Sequence, residues 1–531
     1  MTVSPPKIGT RILLSGHIGT IKFVGSVHGT TGTWLGVEWD DPQRGKHDGA
    51  KDGVQYFACA IPGTGSFIRQ TPSIKYGITF TRALLSKYIE DLHGSQGQEF
   101  VVLGSSNGAI EVEAVNLDKI RNKLSHVEKL REVSLDGENV ASADAPGEIG
   151  KTCPSIRGLD LARSLISSWD TIAEITRELP LLERLALSQN RFTLPSGAIE
   201  LSSAFLNLQE LQLNKTLLTW IDFTEYLLPR LPKLTSIELG YNRLDHLSDG
   251  TTERMPPTTN TKLSTVNFDG NSLNNWSEIC LSLAKYPTVD HLVLSLNAIE
   301  SIPPLPKPEG TDASALEGLA HIKSLALSFN NLRNWTDINA LADHCPVLET
   351  LNITGNPIIE EKHSRAIFVA KLPALKSLNG GAAKREDCEL FYLSYIVQVG
   401  YKTEEAAIAA HPRYQELRAK YGQTEAYVTP RQDNLNSRII TLNIHRIPNS
   451  LAKGSPVPEH STPPTIIKAL PSMKLQTLQQ KLRKTFKVPP KAEMDVYLEM
   501  SDTVAELESG DSHDLIWWGL GEGSNLFVYI P

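Results

Sequence analysis

The apolar positions of this chain follow three different rhythms. Near the N-terminus, short runs rich in β-branched and aromatic residues (11–14, 19–24, 34–39, 56–59 and 66–69) alternate with glycines at 16, 19, 25, 29, 32, 36, 45, 49, 53, 63 and 65. Runs so short, bent by so much glycine, predict a small and sharply curved β-barrel. A second rhythm begins at Leu130. The motif apolar-x-x-apolar-x-apolar recurs with leads at Leu130, Ile156, Leu182, Leu208, Leu234, Leu263, Val289, Ile322, Leu348 and Leu375, most of them 26 residues apart. That register predicts a leucine-rich-repeat solenoid. The third rhythm follows residue 437: a strand at 438–444, a Pro- and Ser-rich loop at 448–464, a strand at 465–470, a helix at 474–486 with Leu475, Leu478 and Leu482 on one face, and strands at 495–500 and 526–530.

Shorter signals join these blocks. Residues 81–92 have helical spacing, and 99–103 and 109–115 flank Asn107-Gly108 as a hairpin would, so a small cap is expected over the first repeat. Residues 382–401 form an amphipathic helix that closes the solenoid. The expected domains are therefore 1–80, a connector and N-terminal cap at 81–125, the solenoid with its C-terminal cap at 126–400, a helical linker at 401–436, and an α+β module at 437–531.

Within the solenoid, a slot three residues past the last apolar position of the motif holds Asn190, Asn242, Asn271, Asn297, Asn330 and Asn356, with Ser164 and Thr216 substituting and Glu138 departing. Such asparagines hydrogen-bond the turn backbone and are structural. Trp169, Trp220, Trp276 and Trp335 fall at a near-constant offset from the slot, which assigns them to the convex-side core. Two long gaps put surface insertions at 245–261 and 301–318. The outward strand positions line one concave face. It is predominantly acidic at Glu132, Asp136, Asp160, Glu210, Glu238 and Asp269, against Arg163, Arg184 and Lys215. Towards the C-terminal half the same positions turn apolar, with Tyr241, Val293, Leu296, Ala326 and Phe329. These form a candidate protein-binding patch, for which the rival account is a helical end cap folded over them.

Composition narrows the function. The 531 residues are 40% hydrophobic and 21% charged, as in ordinary soluble proteins, and lack a signal-peptide start or a long apolar run. A cytosolic protein is expected. Five cysteines at 59, 153, 280, 345 and 388 form no metal-binding or disulfide spacing and are expected to be buried free thiols. A net charge of −8 argues against nucleic acid as the main partner. No nucleophile, metal cluster or nucleotide loop appears, so neither an enzyme nor a cofactor is expected: Gly45-Lys46 is followed by His47 where a P-loop needs Ser or Thr.

The N-terminal block carries a net charge of +3. Its run Gly16, Gly19, Thr20, Val24, Gly25, Trp34, Gly36, Val37, Glu38, Gly45-Lys46-His47-Asp48-Gly49, Gly53, Tyr56, Phe57, Gly65, Phe67 and Arg69 resembles a CAP-Gly domain throughout. That resemblance implies binding of acidic, aromatic-ended C-terminal tails. The residue types suit such a ligand: Lys46 and Arg69 for carboxylates, backbone N–H groups bared at Gly45 and Gly49, and an apolar slot from Trp34, Phe57 and Phe67 for the terminal ring. The loop departs from the usual GKNDG at His47, which differs from an amide in shape and titration.

The last block is similar to a ubiquitin-like domain, although it ends without a diglycine. Its helix carries Lys474, Lys481, Arg483, Lys484 and Lys487, either a solvated face or a docking surface for an acidic partner. Taken in order, CAP-Gly, leucine-rich repeats and a ubiquitin-like end resemble the tubulin-specific chaperone E family, also called tubulin-folding cofactor E, over essentially the whole chain. The resemblance implies capture of α-tubulin, and assembly or dissociation of the αβ heterodimer together with β-tubulin and cofactors D and C, at the cytoskeleton and away from membranes. Two other roles stay open: a microtubule plus-end adaptor and an adaptor to ubiquitin or proteasome machinery.

Overall fold

The computed structural model describes residues 6–90, 100–103, 110–113, 126–194, 204–248, 262–305, 319–401, 403–422, 439–451, 455–458, 463–489, 492–500, 503–507 and 513–530. The expected turn of the connector hairpin, most of the 245–261 and 301–318 insertions, and the linker beyond 422 lie outside these residues. The chain divides into two compact units, Met1–Ser272 and Leu273–Pro531.

In the first unit, Arg11–Leu14, His17–Gly25, Trp34–Trp39 and Gly65–Ile68 form an antiparallel sheet in that order. Alternation along Trp34–Trp39 decides its two faces. Leu35, Val37 and Trp39 point inward and are buried with Ile12, Ile21 and Ile74, leaving Trp34, Gly36 and Glu38 on the other side. The barrel is joined to the solenoid by more than a chain link. Ile78–Thr79 pairs in parallel with Val140–Ser142, and Asp144 accepts the N–H of Thr81 at 2.7 Å. The expected connector helix is Phe80–Leu85, continued by a π-turn at Ser86–Glu90 from which the Tyr88 hydroxyl accepts the Ser134 N–H at 3.0 Å. The two hairpin strands are Phe100–Leu103 and Ile110–Glu113.

The repeats are parallel and in register. Val133, Leu159, Leu185, Leu211, Ile237 and Val266 stack across successive strands of the first unit. Leu292, Leu325, Leu351 and Leu378 do so in the second. The asparagine slots fasten rung to rung. Asn190 Oδ1 accepts the Ser164 N–H at 2.8 Å, while its Nδ2 donates to the carbonyls of Leu161 and Leu187 at 2.9 and 3.0 Å. Each tryptophan opens a convex-side helix: Trp169–Arg177, Trp220–Asp222, Trp276–Leu283 and Trp335–His344. Three are buried as expected. Trp335 is only half-buried, and its indole N–H reaches Glu361 at 2.5 Å.

The closing helix runs Arg385–Val399 rather than from 382, because Gly381–Ala382 turns back as an antiparallel strand on Ser377–Leu378. Its fully buried Glu389 is tolerated because it accepts from Arg385, Arg413, Lys420 and Tyr421 at 3.3, 3.2, 2.8 and 2.8 Å. The cysteines form no disulfide; Cys153, Cys280 and Cys345 are buried, whereas Cys59 and Cys388 are half-buried, which corrects the expectation for those two.

The last module is a five-stranded mixed sheet in the order Thr465–Ala469, Ile440–Ile447, Ser524–Tyr529, Asp495–Glu499, Val504–Glu506, with a parallel pair inside. Val504–Glu506 was not expected from the sequence, being too short to show alternation. The helix Leu475–Thr485 buries Leu475, Leu478 and Leu482. The module rests on the solenoid cap: a Cβ on Gly381 would lie 2.7 Å from the Trp518 carbonyl.

Candidate functional site

On the outer face of the barrel, Gly36 stands opposite Phe23 on one neighbouring strand and Phe67 on the other. A Cβ at Gly36 would press into the Phe57 ring, so the glycine lets that ring lie against the strand. Phe57 is 7% exposed and forms the floor. Phe67 meets it edge-on with centroids 5.5 Å apart, and Phe67 also meets Tyr56 at 5.4 Å and Phe23 at 6.3 Å, both near-perpendicular. Such edge-to-face packing is the favoured aromatic geometry. The His47 ring closes one side, 5.0 Å from Phe67.

The Gly45–Gly49 loop is held by its own backbone. Lys46 and His47 N–H both donate to the Gly65 carbonyl, at 2.8 and 3.2 Å, and Gly65 N–H returns to the His47 carbonyl at 2.7 Å. Gly49, at φ +90°, donates its N–H to His47 Nδ1 at 2.9 Å. This corrects the expectation that Gly49 bares an N–H for a ligand: that hydrogen is committed inside the loop. The glycine is required instead by its left-handed backbone and by the Phe57 carbonyl, into which a Cβ would run. Asp48 likewise braces the loop, its carboxylate accepting the Gly63 N–H.

Because Nδ1 accepts, the neutral His47 ring carries its proton on Nε2. Burial lowers the His47 pKa, opposed by the negative charge of Asp48. Lys46 is exposed and makes no ion pair with a described carboxylate. Arg69 is placed differently from the expected free cation. Its guanidinium lies 3.8 Å above the Trp34 ring and donates to the Thr33 carbonyl at 3.1 Å and to that of Thr31. Trp34 is fixed in turn by donating its indole N–H to Thr30 Oγ1 at 2.7 Å. Trp34 therefore makes a shelf for Arg69 rather than a wall beside Phe57.

The structure thus brings Gly36, His47, Phe57 and Phe67 into one aromatic patch and sets Trp34 with Arg69 as a second element. Sequence reasoning named Tyr56 only within the family-like run and assigned neither it nor Phe23 to the site. The signal for Phe23 lay in strand alternation opposite Gly36, and that for Tyr56 in its place beside Phe57. A rigid aromatic floor with Lys46 and Arg69 nearby can take an apolar ring and the carboxylates around it.

On the solenoid, the residue before each asparagine slot is left-handed. In the first unit these are Arg163, Gln189, Lys215, Tyr241 and Gly270, and in the second Leu296, Phe329 and Gly355. A non-glycine residue there costs about 1–2 kcal/mol, yet Tyr241, Leu296 and Phe329 are bulky and 42%, 44% and 57% exposed. Tyr241 lies over Gly270 and Phe329 over Gly355, each ring occupying the space a Cβ would take. Val293 is half-buried and pairs with Ala326. With Leu296 and Phe329 open to solvent, the rival account of an end cap folded over them fails. The acidic face is also less charged than its sequence, since Arg163 pairs with Asp136 and Arg184 with Glu132.

A family model described as CAP-Gly domain matches residues 8–72. Tubulin-specific chaperone E of Mus musculus is 31% identical over 541 residues, covering 98% of each chain. That of Xenopus laevis is 32% identical over 90% of each. Tubulin-folding cofactor E of Arabidopsis thaliana is 28% identical over 97% of this chain and 95% of its own. With such similarity running almost end to end, this chain belongs to the tubulin-specific chaperone E family.

Proposed function

We propose that the protein captures α-tubulin at two places and so promotes assembly of the αβ heterodimer with β-tubulin and cofactors D and C. The barrel takes the acidic, aromatic-ended tail: its terminal ring rests on Phe57 and Phe67 beside Tyr56, Lys46 and Arg69 meet the carboxylates, and His47 Nε2–H donates a further hydrogen bond. The solenoid meets the folded tubulin body through Tyr241, Val293, Leu296 and Phe329. Once the tail is held, the second contact forms at an effective concentration of order millimolar. The observation that carries this reading is the Phe67-centred aromatic floor with, next in sequence to its His47 wall, an exposed Lys46 that makes no ion pair with a described carboxylate.

The test is titration of the full chain with an α-tubulin tail peptide. Lys46→Glu should abolish binding, and raising salt should weaken it in the native protein. Salt-independent binding would contradict the reading. The module boundaries belong to it: CAP-Gly at 1–80, connector at 81–125, solenoid and cap at 126–400, linker at 401–436 and a ubiquitin-like domain at 437–531. The ubiquitin-like assignment is supported by the sheet order, with the first and last strands of the module parallel at its centre. The same order favours a second role, docking to ubiquitin or proteasome machinery, which a pulldown with full chain and with a chain cut at 437 would separate. The work is non-covalent and cytoplasmic in this account.

A further inference from the structure

The C-terminal module is electrically split along its fold. Residues 439–489 contain eight Lys or Arg and one acid, Glu459, whereas residues 490–531 contain nine acids and one base, Lys491. The sheet order separates the two halves. Thr465–Ala469 is the edge strand on the basic side, and Val504–Glu506 ends the sheet on the acidic side.

Among the described residues, Thr465–Ala469 pairs only with Ile440–Ile447. Its outer Lys468 carbonyl receives not another strand but the Lys481 ammonium, at 2.5 Å. Alternation puts Ile467 and Ala469 in the core, while Ile466, 63% exposed, and Lys468 face out. Beside this edge runs the helix Leu475–Thr485. Helical spacing places Lys474, Thr477, Lys481 and Lys484 in one exposed stripe, with Lys474 as the N-cap. Lys474 and Lys484 make no ion pair with a described carboxylate. Arg483 is different, because it donates to the carbonyls of Pro489 and Ala492 at 3.2 and 2.6 Å and so fixes the helix end.

An exposed edge strand is a template for strand addition, and proteins ordinarily blunt or cover such edges. Here the edge offers one large apolar side chain on its outer face and a row of ammonium groups on its helix side. Successive residues of an added strand point alternately to those two sides. We infer that this edge binds an extended acidic peptide by strand addition, with apolar residues against Ile466 and alternate Asp or Glu residues against Lys474, Lys481 and Lys484. Lys481 leaves the Lys468 carbonyl, which then accepts an N–H of the incoming strand, and its ammonium is handed to a ligand carboxylate. Main-chain hydrogen bonds supply affinity and the alternating charge supplies choice of partner.

The test uses the full chain and a synthetic peptide alternating Glu with Val, blocked at both ends so that no terminal carboxylate can engage the barrel. Binding is read by fluorescence anisotropy and its location by amide hydrogen exchange. The expected result is slowed exchange in 465–469, affinity reduced about tenfold or more by Lys474→Glu/Lys481→Glu/Lys484→Glu, a similar reduction by Ile466→Lys, and no change with Lys46→Glu. All four substituted lysines and Ile466 are exposed, and unchanged thermal unfolding verifies that the variants fold. A peptide with proline at alternate positions should bind at least about tenfold more weakly, because proline lacks the N–H that strand addition needs. Absent binding, equal binding of the proline peptide, unslowed exchange in 465–469, or loss of binding in Lys46→Glu would each overturn the inference.

Discussion

The barrel patch and the solenoid column solve the placement of bulky apolar side chains at a surface in opposite ways. In the barrel, glycines yield space so that rings can be held by a loop closed on itself: Gly36 admits Phe57, and Gly49 ties its N–H to His47. In the solenoid, a repeat turn that favours glycine instead carries Tyr241, Leu296 and Phe329, and the glycine appears one rung later, beneath the Tyr241 and Phe329 rings. The barrel site is preorganised by hydrogen bonds, so its integrity and its recognition are coupled. The column residues are strained and solvent-exposed, so their removal should leave the fold intact. Keeping bulky groups where the backbone resists them points to a use outside the fold.

Breaking the barrel half should have the largest effect. Phe67→Ala removes the ring that contacts Phe57, Phe23, Tyr56 and His47, and should cost about 2–4 kcal/mol of tail-peptide affinity by calorimetry. Gly49→Ala should lower barrel stability by about 1–3 kcal/mol, seen as earlier thermal unfolding, with tail binding falling alongside it. For the column the two readouts should part. Leu296→Gly and Phe329→Gly relieve left-handed strain, so folding stability should stay unchanged or rise by up to about 1 kcal/mol while capture of folded α-tubulin weakens. A column variant that melts early would show these residues to be structural after all.

Acid should sharpen the contrast by a smaller amount. Burial holds the His47 pKa below its usual 6.5. Between 6.5 and that lowered value the unfolded chain binds a proton that the folded barrel refuses, so stability falls as pH drops through this window and is complete above it. At and below the lowered value the folded ring itself takes the proton, and a protonated Nδ1 cannot accept the Gly49 N–H, so tail affinity should decline there. His47→Asn should flatten both responses in pH-dependent calorimetry. Column contacts at Leu296 and Phe329 carry no titrating group and should not respond.

The regular parts of this molecule were legible because they repeat. Ten leads in register announced the strands, and the asparagine slot announced how Asn190 or Asn242 would bind its neighbours. The barrel's site was legible as a set of residues but not as a geometry. Nothing local links Arg69 to Trp34, which meet across 35 positions of sequence, and no composition rule shows that Gly49 donates inward. The acid count of the concave face misled for a related reason. Arg163 and Arg184 neutralise Asp136 and Glu132 across rungs, 27 and 52 residues away. Left-handed backbone at Leu296 and Phe329 was hidden because leucine and phenylalanine do not advertise it as glycine does.

Two-site capture is most directly tested by the affinity of the full chain for soluble α-tubulin with and without its C-terminal tail, each measured with native protein and with Leu296→Gly/Phe329→Gly. The account predicts that tail removal weakens capture by orders of magnitude, that the column variant weakens it independently, and that tailless tubulin and the column variant together leave almost none. Equal affinity for intact and tailless α-tubulin would contradict it.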